Sequence, residues 1–592
     1  MTSTAPAIET LQTDILIIGA GGAGLMAALH AAQADPDLHI TIAVKGLLGK
    51  CGCTRMVQGG YNVAVNPGDS IERHFMDSIV GGKWLPDQDL AWWLVTGAVE
   101  RIRELENEIG CFFDRNPDGT LHQKAFAGQS FDRTAHKGDL TGIEIVSRLI
   151  EQIWARNVHR LEEHRALAIV PDREGKACAG MLLTDMRTGA FKLVRAKAVL
   201  MAAGGGPTMY KYHTPSGDKA CDGMAMALAA GLSLRDMEMV QFHPTGLLAG
   251  EDTRMTGTVL EEGLRGAGGH LLNKDGHRFM LDRNPAGERA TRDIVSREIY
   301  REMQGGKTTP HGGVYIEMKH LGPEKVAKQF KGMVERCADC GFDLAGGRVE
   351  VVPTAHYMMG GVVFGVDTTT AMPGLFCAGE DSGGVHGANR LGGNGVANST
   401  VFGGIAGDEM AAFVAGEAAW REPDIEVARA AAAASLRPFA LDKGDLNGLR
   451  KRLLDMMWDE AGIVRTKESL GRALAALDGF ETELHAIGIP DTSAAFNLTW
   501  HDWLNLESQI TVSKVIAHAA LARENSRGAH FRDDFPDEGD LEATYFTKVR
   551  LAEGATAAGG FEVTTEPVKF TIVKPGESLI EGGVGAPPAA AE

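Results

Sequence analysis

The sequence predicts an α/β protein, and the first sixty residues carry the clearest reason. Residues 14–18 form a short apolar run that is typical of a buried parallel strand. The run leads into Gly19-Ala20-Gly21-Gly22-Ala23-Gly24, and residues 25–33 then have a helical pattern. Glycines at this spacing between a strand and a helix make a tight turn and admit a pyrophosphate to the helix N-terminus. A second strand is predicted at 40–44, so this part of the chain is expected to be Rossmann-like. The second strand is followed by Lys45, whereas NAD-binding folds have an acidic residue there that holds the ribose. NAD is therefore not favoured as the ligand.

A second glycine-rich segment, residues 385–394, surrounds Arg390 and follows Ala378-Gly379-Glu380. Glycines let a backbone approach a planar ring closely because no Cβ intervenes. An arginine on such a backbone can hold a carboxylate bidentately beside the ring. The alternative is a surface loop with one solvated arginine.

The segments between and after these loops suggest how the chain is divided. The loop Ala203-Gly204-Gly205-Gly206 closes a predicted strand, and Asp222-Gly223 opens a helix. Residues 245–353 have a mixed, interrupted pattern that indicates an inserted domain. The other predictions are helices at 86–110 and 142–156, strands at 166–171, 178–185, 198–202 and 374–378, an Ala-rich helical part at 404–535, late strands at 561–573 and a disordered tail at 582–592.

Length and charge exclude several classes of protein. A chain of 592 residues is expected to hold more than one domain. The formal charge of −19 argues against nucleic acid as a partner, because phosphate binding needs a basic surface. No apolar run reaches the ~18 residues of a membrane span, and residues 1–13 lack the pattern of a signal peptide. We therefore expect a cytoplasmic protein that is peripheral to the inner face of a membrane only if a partner attaches it.

The eight cysteines do not predict a disulfide framework or a metal site. Cys51 and Cys53, and Cys337 and Cys340, are isolated pairs without a second pair at zinc or iron–sulfur spacing. No metal is therefore predicted.

Eight motifs, in order from residue 14 to about 545, give the chain its resemblance to a known family. Besides the two glycine loops they are Gln58-Gly59-Gly60, residues 241–246 and 262–266, residues 292–295, residues 353–361 and residues 526–530. The sequence resembles the flavoprotein subunits of the succinate dehydrogenase/fumarate reductase family, which includes L-aspartate oxidase. The resemblance implies an FAD-binding domain in two parts (1–244 and 354–420), an α+β capping domain (245–353), a helical domain (421–545) and a C-terminal segment (546–592).

The resemblance also implies which residues contact FAD. The family's covalent histidine, six residues before the Gly-Gly pair, is replaced here by Cys53, so a histidyl link is excluded. A cysteinyl link is the alternative to the predicted noncovalent FAD. The predicted cofactor-binding residues are Gly19, Gly21, Gly22, Ala23, Gly24, Lys45, Cys53, Thr54, Gln58, Gly59, Gly60, Ala203, Gly204, Gly205, Asp222, Gly379, Glu380, Arg390, Asn394, Gly395 and Val396.

The family's catalytic positions are occupied by residues suited to the chemistry. His243, His356 and Arg390 match the family's substrate-binding positions, where they would hold carboxylates and stabilise developing negative charge. Arg292 matches the proton donor, with Glu262 behind it. Because the pKa of arginine exceeds about 12, this role requires a more basic carbanion and a carboxylate that replaces the proton.

Two further positions bear on the substrate. Glu261 stands where the family has a threonine that binds a substrate carboxylate, and a desolvated anion there would repel a dicarboxylate. Three explanations are open: Glu261 is protonated, it is turned away, or the substrate carries an amine or hydroxyl. The segment Phe126-Ala127-Gly128-Gln129-Ser130 is similar to the dehydrogenase/reductase version of this loop, whereas aspartate oxidase has a glutamate at the position of Phe126. Phe126, Gln129 and Glu261 are therefore included in the predicted substrate-binding set.

Together these features predict an FAD-dependent oxidoreductase that acts on the C–C bond of a small carboxylate, similar to fumarate reductase. Electrons are expected from an iron–sulfur subunit or from a soluble donor, and oligomerisation is left open. The alternatives are an L-aspartate oxidase or another amino- or hydroxy-acid oxidase, and a nucleotide-binding scaffold without catalysis, which would lack the polar site residues.

Overall fold

The strands in the described part of the chain form one large sheet and three small ones. A computed structural model describes residues 6–251, 253–416, 418–552, 554 and 560–581. The strands are β1 (Ile8–Ile18), β2 (Ile40–Val44), β3 (Tyr61–Asn62), β4 (Gln123–Lys124), β5 (Thr134–Ala135), β6 (Val158–Glu162), β7 (His164–Pro171), β8 (Cys178–Asp185), β9 (Phe191–Met201), β10 (Leu234–Arg235), β11 (Val240–Leu247), β12 (His270–Leu272), β13 (Val314–Glu317), β14 (Arg348–Met358), β15 (Gly361–Val362), β16 (Leu375–Cys377), β17 (Tyr545–Leu551) and β18 (Phe561–Pro567).

Helices cover the large sheet and make up most of the C-terminal third of the chain. They are α1 (Gly22–Ala34), α2 (Ile71–Gly81), α3 (Gln88–Asn107), α4 (Thr141–Trp154), α5 (Asp222–Ala229), α6 (Gly263–Gly266), α7 (Met280–Arg283), α8 (Arg292–Gln304), α9 (Pro323–Gln329), α10 (Lys331–Asp339), α11 (Asn394–Gly416), α12 (Ile425–Ser435), α13 (Leu446–Glu460), α14 (Lys467–Leu484) and α15 (Leu498–Ala522).

The large sheet confirms the predicted α/β fold. Its order is β6-β2-β1-β9-β8-β7, and β16 also pairs with β9. The strands β6, β2, β1, β9 and β16 are parallel to one another, whereas β8 runs antiparallel to β9 and β7. Ile15 to Ile18 of β1 are buried, as expected for a parallel strand with helices on both faces. The carboxyl ends of β1, β9 and β16 therefore lie side by side at one edge.

The middle of the chain forms a second sheet with its own apolar core. Its order is β11-β14-β13-β12, and all of its pairs are antiparallel. A separate cluster of buried apolar side chains runs from Leu247 to Val351 and includes Leu264, Val295 and Ile299. This cluster lies within the predicted insertion at 245–353, although those boundaries themselves stay a prediction. The strands β11 and β14 lead into and out of this region.

The C-terminal part is helical, as predicted, but its late strands differ from the prediction. β17 was not predicted, because it follows a charged stretch and becomes a strand through its pairing with β18 and β10. β18 ends at Pro567, and the segment after it crosses α2 and α3 instead of continuing as a strand. There Gln88 Nε2 donates to the carbonyl of Val573 at 2.6 Å and Gln88 Oε1 accepts from its N–H at 3.0 Å. The predicted disordered tail, 582–592, lies outside the described residues.

Across the described ranges, no helix combines the length and the apolar character needed to cross a bilayer.

Candidate active site

The first glycine loop makes the tight turn that its spacing predicted. Gly19 has a φ of +109°, and a Cβ on it would lie 2.1 Å from the carbonyl oxygen of Ala202 in the neighbouring loop. Gly21 then precedes α1 as its N-cap residue without a side-chain hydrogen bond, and the N–H of Gly22 donates to Thr54 Oγ1 at 3.0 Å. The N–H groups in the first turn of a helix have no intrahelical acceptor, so this helix end forms a site for a pyrophosphate.

Two more predicted cofactor segments lie at the same edge of the sheet. The loop Ala203-Gly204-Gly205 follows β9, and Gly379 and Glu380 follow β16. Gly206 and Met358 donate their N–H groups to Glu380 Oε1 at 3.2 and 3.0 Å. Burial raises the pKa of Glu380 to about 7. Ligands of open α/β sheets bind outside the carboxyl ends of adjacent parallel strands, so this position fits a dinucleotide.

Lys45 and Asp222 contact each other directly. Lys45 Nζ lies 2.7 Å from Asp222 Oδ2, and Arg165 lies 2.7 Å from the other carboxylate oxygen. Burial alone would raise the pKa of Asp222, but Arg165 and Lys45 hold it below its ordinary value. The pair joins the end of β2 to the start of α5, and the cofactor-binding role of both residues stays a prediction.

The segment from Cys53 to Gly60 approaches the middle region of the chain. Burial raises the pKa of the Cys53 thiol to about 12, which keeps it protonated at neutral pH. The side-chain amide of Gln58 lies between Arg336 and the carbonyl of Val259, and the orientation that satisfies both neighbours donates to Val259 at 3.3 Å and accepts from Arg336. The side chain of Gln58 is thus used in a contact with residues beyond β11, which its motif did not indicate.

The N-terminus of α11 contributes Asn394, Gly395 and Val396, the last predicted cofactor residues. Asn394 Oδ1 accepts from Asn62 at 2.8 Å and lies 3.0 Å from His74 Nε2, while its nitrogen donates to Ser78 at 3.1 Å. These bonds hold the first turn of α11 in place beside the Arg390 loop.

Two neutral histidines face each other where β11 pairs with β14. The ring centroids of His243 and His356 are 5.3 Å apart. Thr245 N–H donates to His243 Nδ1 at 3.3 Å, and Thr214 Oγ1 lies 2.8 Å from His356 Nδ1. Burial, reinforced by Arg292, lowers the pKa of both histidines well below the ordinary value. The β11 pairing is irregular on both sides of His243, and such a bulge redirects a side chain.

Arg390 is a buried cation without a carboxylate partner among the described residues. Its guanidinium carbon lies 4.3 Å from the ring centroid of Tyr357, and its Nη1 makes a long hydrogen bond of 3.5 Å to the Leu391 carbonyl. Burial and the nearby Arg292 lower its pKa to about 10, so it stays charged at neutral pH. A desolvated cation of this kind indicates a site for an anionic ligand.

The structure brings Arg292 and Glu262 into direct contact. Glu262 Oε2 accepts from Arg292 Nη2 at 2.6 Å and from Nε at 3.0 Å, and Arg292 Nη1 donates to Gln241 at 3.0 Å. Arg265 donates to the other oxygen of Glu262 at 3.1 Å. Burial raises the pKa of Glu262, but the opposing effect of Arg292 and Arg265 is larger, and the pKa ends below its ordinary value. Glu262 is therefore a carboxylate.

Gly392 shows how closely this group meets the Arg390 loop. A Cβ on Gly392 would lie 2.4 Å from Glu262 Oε2, 2.6 Å from the ring of Phe126 and 3.0 Å from Arg292 Nη2. Gln129 Nε2 donates to the Gly392 carbonyl at 3.0 Å. Phe126 and Gln129 thus lie beside the predicted proton donor.

Glu261 is directed toward Lys124. The carboxylate is buried, and its Oε2 lies 3.2 Å from Lys124 Nζ. Burial raises its pKa and Lys124 opposes this, with smaller effects from Asp139 and Arg336. Of the three explanations for this residue, its contacts agree with the second, a side chain turned toward a different partner.

The sequence reasoning missed Gln241, Arg265, Thr214 and Tyr357. Gln241 and Tyr357 lie inside motifs that were recognised for their histidines. Arg265 had a local signal, because it follows Glu262 by three residues, the spacing of contacting side chains on a helical turn. Thr214 had none, since it meets His356 only through the fold.

The site as a whole fits FAD. Three loops at the carboxyl ends of β1, β9 and β16, two helix N-termini and the absence of an acidic residue at position 45 suit a flavin dinucleotide. A buried cation pair, Arg390 and Arg292, and two neutral histidines adjoin it. Fold and site define the class of an FAD-dependent oxidoreductase acting on a carboxylate.

The comparisons with known proteins agree. The FAD binding domain family matches residues 14–396, and the fumarate reductase flavoprotein C-terminal family matches residues 450–579. The chain is 38% identical over 539 residues to a fumarate reductase (CoM/CoB) subunit of Methanothermobacter marburgensis, covering 89% of this chain and 95% of that protein. It is 35% identical to the fumarate reductase flavoprotein subunit of Escherichia coli, covering 98% of both chains. A solved E. coli quinol fumarate reductase flavoprotein superposes with a TM-score of 0.90 at 33% identity, covering 98% of this chain and 100% of that one.

The chain therefore belongs to the fumarate reductase flavoprotein family, whose members are FAD-dependent oxidoreductases acting on a CH–CH bond.

Proposed function

We propose that the protein reduces the C=C bond of fumarate or a closely similar unsaturated dicarboxylate. The observation that carries the proposal is the pair of buried arginines, one without a carboxylate partner among the described residues and one held by Glu262. When bound, FAD supplies a hydride from its N5 to one carbon of the double bond. The protein's residues then have to hold the substrate, stabilise the developing charge and supply a proton.

Arg390, His243 and His356 hold the substrate carboxylates. Arg390 has the geometry for two parallel hydrogen bonds to one carboxylate. The neutral histidines have their Nδ1 atoms engaged by Thr245 and Thr214, which leaves Nε2 for the substrate. These donors also stabilise the negative charge that builds up on the substrate during reduction, in a site from which water is largely excluded.

Arg292 gives the proton to the second carbon. Its guanidinium is fixed by three hydrogen bonds, two to Glu262 and one to Gln241. After donation, Glu262 passes a replacement proton to Arg292, and Arg265 on the opposite oxygen continues the relay. Only a carbanion more basic than a guanidine can take this proton, so the donor reacts late, as negative charge develops.

FAD is held noncovalently. The Cys53 thiol would be the only nucleophile at the position of the family's linking histidine, and burial keeps it protonated. Thiols react as thiolates, so a cysteinyl link is disfavoured. Denaturation in acid should release all of the yellow chromophore into the supernatant.

An iron–sulfur subunit supplies the electrons. The E. coli relative is named as the flavoprotein subunit of a fumarate reductase, that is, as one chain of a larger assembly. Attachment to a membrane would then depend on such partners.

The amino-acid oxidase alternative loses its main support. Glu261 is engaged by Lys124, and Phe126 offers no carboxylate to a substrate amine. The scaffold alternative would lack the polar site residues, and His243, Glu262, Arg292, His356 and Arg390 are all assembled.

The test is the anaerobic reoxidation of the reduced flavin. Fumarate should reoxidise it rapidly in the wild-type protein and not in Arg292→Ala, which should still contain FAD. A wild-type flavin that stays reduced with fumarate would contradict the proposal. A panel of amino, hydroxy and larger unsaturated acids would then find the substrate.

A further inference from the structure

Two segments that are distant in sequence run side by side next to the proton donor. Residues 123–129 belong to the first part of the chain, and residues 259–266 follow β11. The segments touch closely, because a Cβ on Gly266 would lie 2.5 Å from the carbonyl oxygen of Ala125. Further along, Phe126 lies beside Glu262 through their shared contact with Gly392. The relative position of these segments therefore sets where Glu262 and Arg292 stand.

One ion pair joins the two segments. Lys124 Nζ lies 3.2 Å from Glu261 Oε2, and the side chains are 16% and 2% exposed. Lys124 also donates to the carbonyl of Gly138 at 2.9 Å, so the lysine end of the contact is anchored. Exposed ion pairs contribute little to structure, but a pair this well shielded is screened much less by water and salt.

Glu261 directly precedes Glu262 in the chain. Fixing the Glu261 side chain on Lys124 restrains the backbone from which Glu262 reaches Arg292 and Arg265. A threonine at position 261, as in the resembling family, could not make this ion pair. The replacement thus provides an anchor for the relay in place of a substrate contact.

We propose that Lys124 and Glu261 are positioning residues that hold Glu262, and through it Arg292, in register with the flavin-binding part of the protein. The proposal rests on the proposed function for its kinetic consequence, although its structural consequence can be measured independently. The two charged groups are directed at each other, so the pair should affect the maximal rate more than substrate affinity.

The experiment compares Lys124→Met, Glu261→Gln and the charge-reversed double variant Lys124→Glu/Glu261→Lys. Each is purified with FAD, reduced without oxygen and mixed with fumarate over a range of concentrations. Lys176→Ala is the control, because its ion pair with Glu174 is solvent-exposed at 77% and 72%. Hydrogen exchange is measured on residues 123–129 and 259–266 in all of them.

Both single variants should retain FAD and reoxidise at saturating fumarate about tenfold or more slowly, since a misplacement of about 1 Å can cost about 10²-fold. The half-saturating fumarate concentration should change by less than about threefold. Exchange in the two segments should accelerate. The double variant should recover most of the rate and the protection, and the control should match the wild type.

Unchanged rates and unchanged hydrogen exchange in both single variants would overturn the proposal. A double variant that reoxidises no faster than the slower single variant would also overturn it. Glu261→Gln nearly preserves the shape of the side chain. If Lys124→Met does not fold, the rate and hydrogen exchange of Glu261→Gln therefore test the positioning role of the pair. If fumarate fails to reoxidise even the wild-type flavin, the proposed function falls, while the exchange data still decide the role of the pair.

Discussion

The guanidinium of Arg390 lies over the ring of Tyr357, with its central carbon 4.3 Å from the ring centroid. The Tyr357 hydroxyl lies 3.4 Å from His386 Nε2 and accepts from Asn398 at 3.3 Å, so the ring is itself held in place. An aromatic face attracts a desolvated cation without neutralising it. Arg390 is thus held in position while its donors stay available for a carboxylate.

Removing the aromatic ring of Tyr357 should therefore weaken substrate binding more than removing its hydroxyl group alone. Tyr357→Leu should raise the KM for fumarate by about tenfold or more, because a desolvated cation–π contact contributes about 2 kcal/mol. Tyr357→Phe keeps the ring and should change KM by about threefold at most. Steady-state kinetics on both variants distinguishes the ring from the hydroxyl, and equal losses would rule out the cation–π role.

Arg390→Lys should raise KM by about tenfold to a hundredfold while FAD remains bound. Lysine keeps the charge but loses the planar fork that matches a carboxylate. Titration of the flavin spectrum with a nonreacting dicarboxylate measures the affinity directly. Unchanged affinity would show that Arg390 does not contact the ligand.

Glu262→Gln should lower the maximal rate by about 10²–10³-fold with little change in KM. The amide keeps nearly the same shape but cannot carry the proton to Arg292, and general acid catalysis contributes effects of this size. Glu335→Gln, on an exposed pair with Lys331, is the matched control and should be silent. Single-turnover reoxidation of reduced flavin gives the rate, and a loss below about threefold would remove Glu262 from the relay.

Gly19→Ala should abolish stable FAD binding. Its Cβ would lie 2.1 Å from the Ala202 carbonyl oxygen, and the φ of +109° is strained for any other residue. Gly471→Ala in α14 serves as the comparison, because nothing lies within 4 Å of its Cβ and alanine should stabilise the helix by about 0.5–1 kcal/mol. Gly19→Ala should lose the FAD absorbance and lower the thermal midpoint, whereas Gly471→Ala should keep the FAD absorbance and raise the midpoint.

Glu380 should make the FAD-free protein less stable as pH rises from about 4.5 to about 7. Burial raises its folded-state pKa from 4.5 to about 7, so over this window the folded state keeps a proton that the unfolded state has lost. Above pH 7 the free energy of unfolding is lower by roughly 3 kcal/mol because of this group. Urea unfolding at several pH values should show this slope in the wild type and a shallower one in Glu380→Gln. Identical slopes would show that Glu380 ionises normally.

Much of the fold could be predicted because its signals are local. The strand, glycine loop and helix at residues 14–33 follow backbone rules that any chain must obey, and β2 was predicted with the bounds it has in the structure. β17 was missed because its seven residues become a strand only by pairing with β10 and β18. The end of β18 was placed too late, because Gln88 binds the segment around Val573 from a distant helix.

For the active site, the resemblance to a known family selected His243, Glu262, Arg292, His356 and Arg390 from the motifs that contain them. The directions of those side chains depended on packing. For Glu261 the sequence leaves three explanations open, and only the fold brings its carboxylate to Lys124, 137 positions earlier. Likewise, Arg390 is available to bind a ligand carboxylate because the fold places no carboxylate of the described residues within ion-pair distance of it. Local backbone preferences are set by neighbouring residues, whereas the partner of a buried charge is set by segments that only folding brings together.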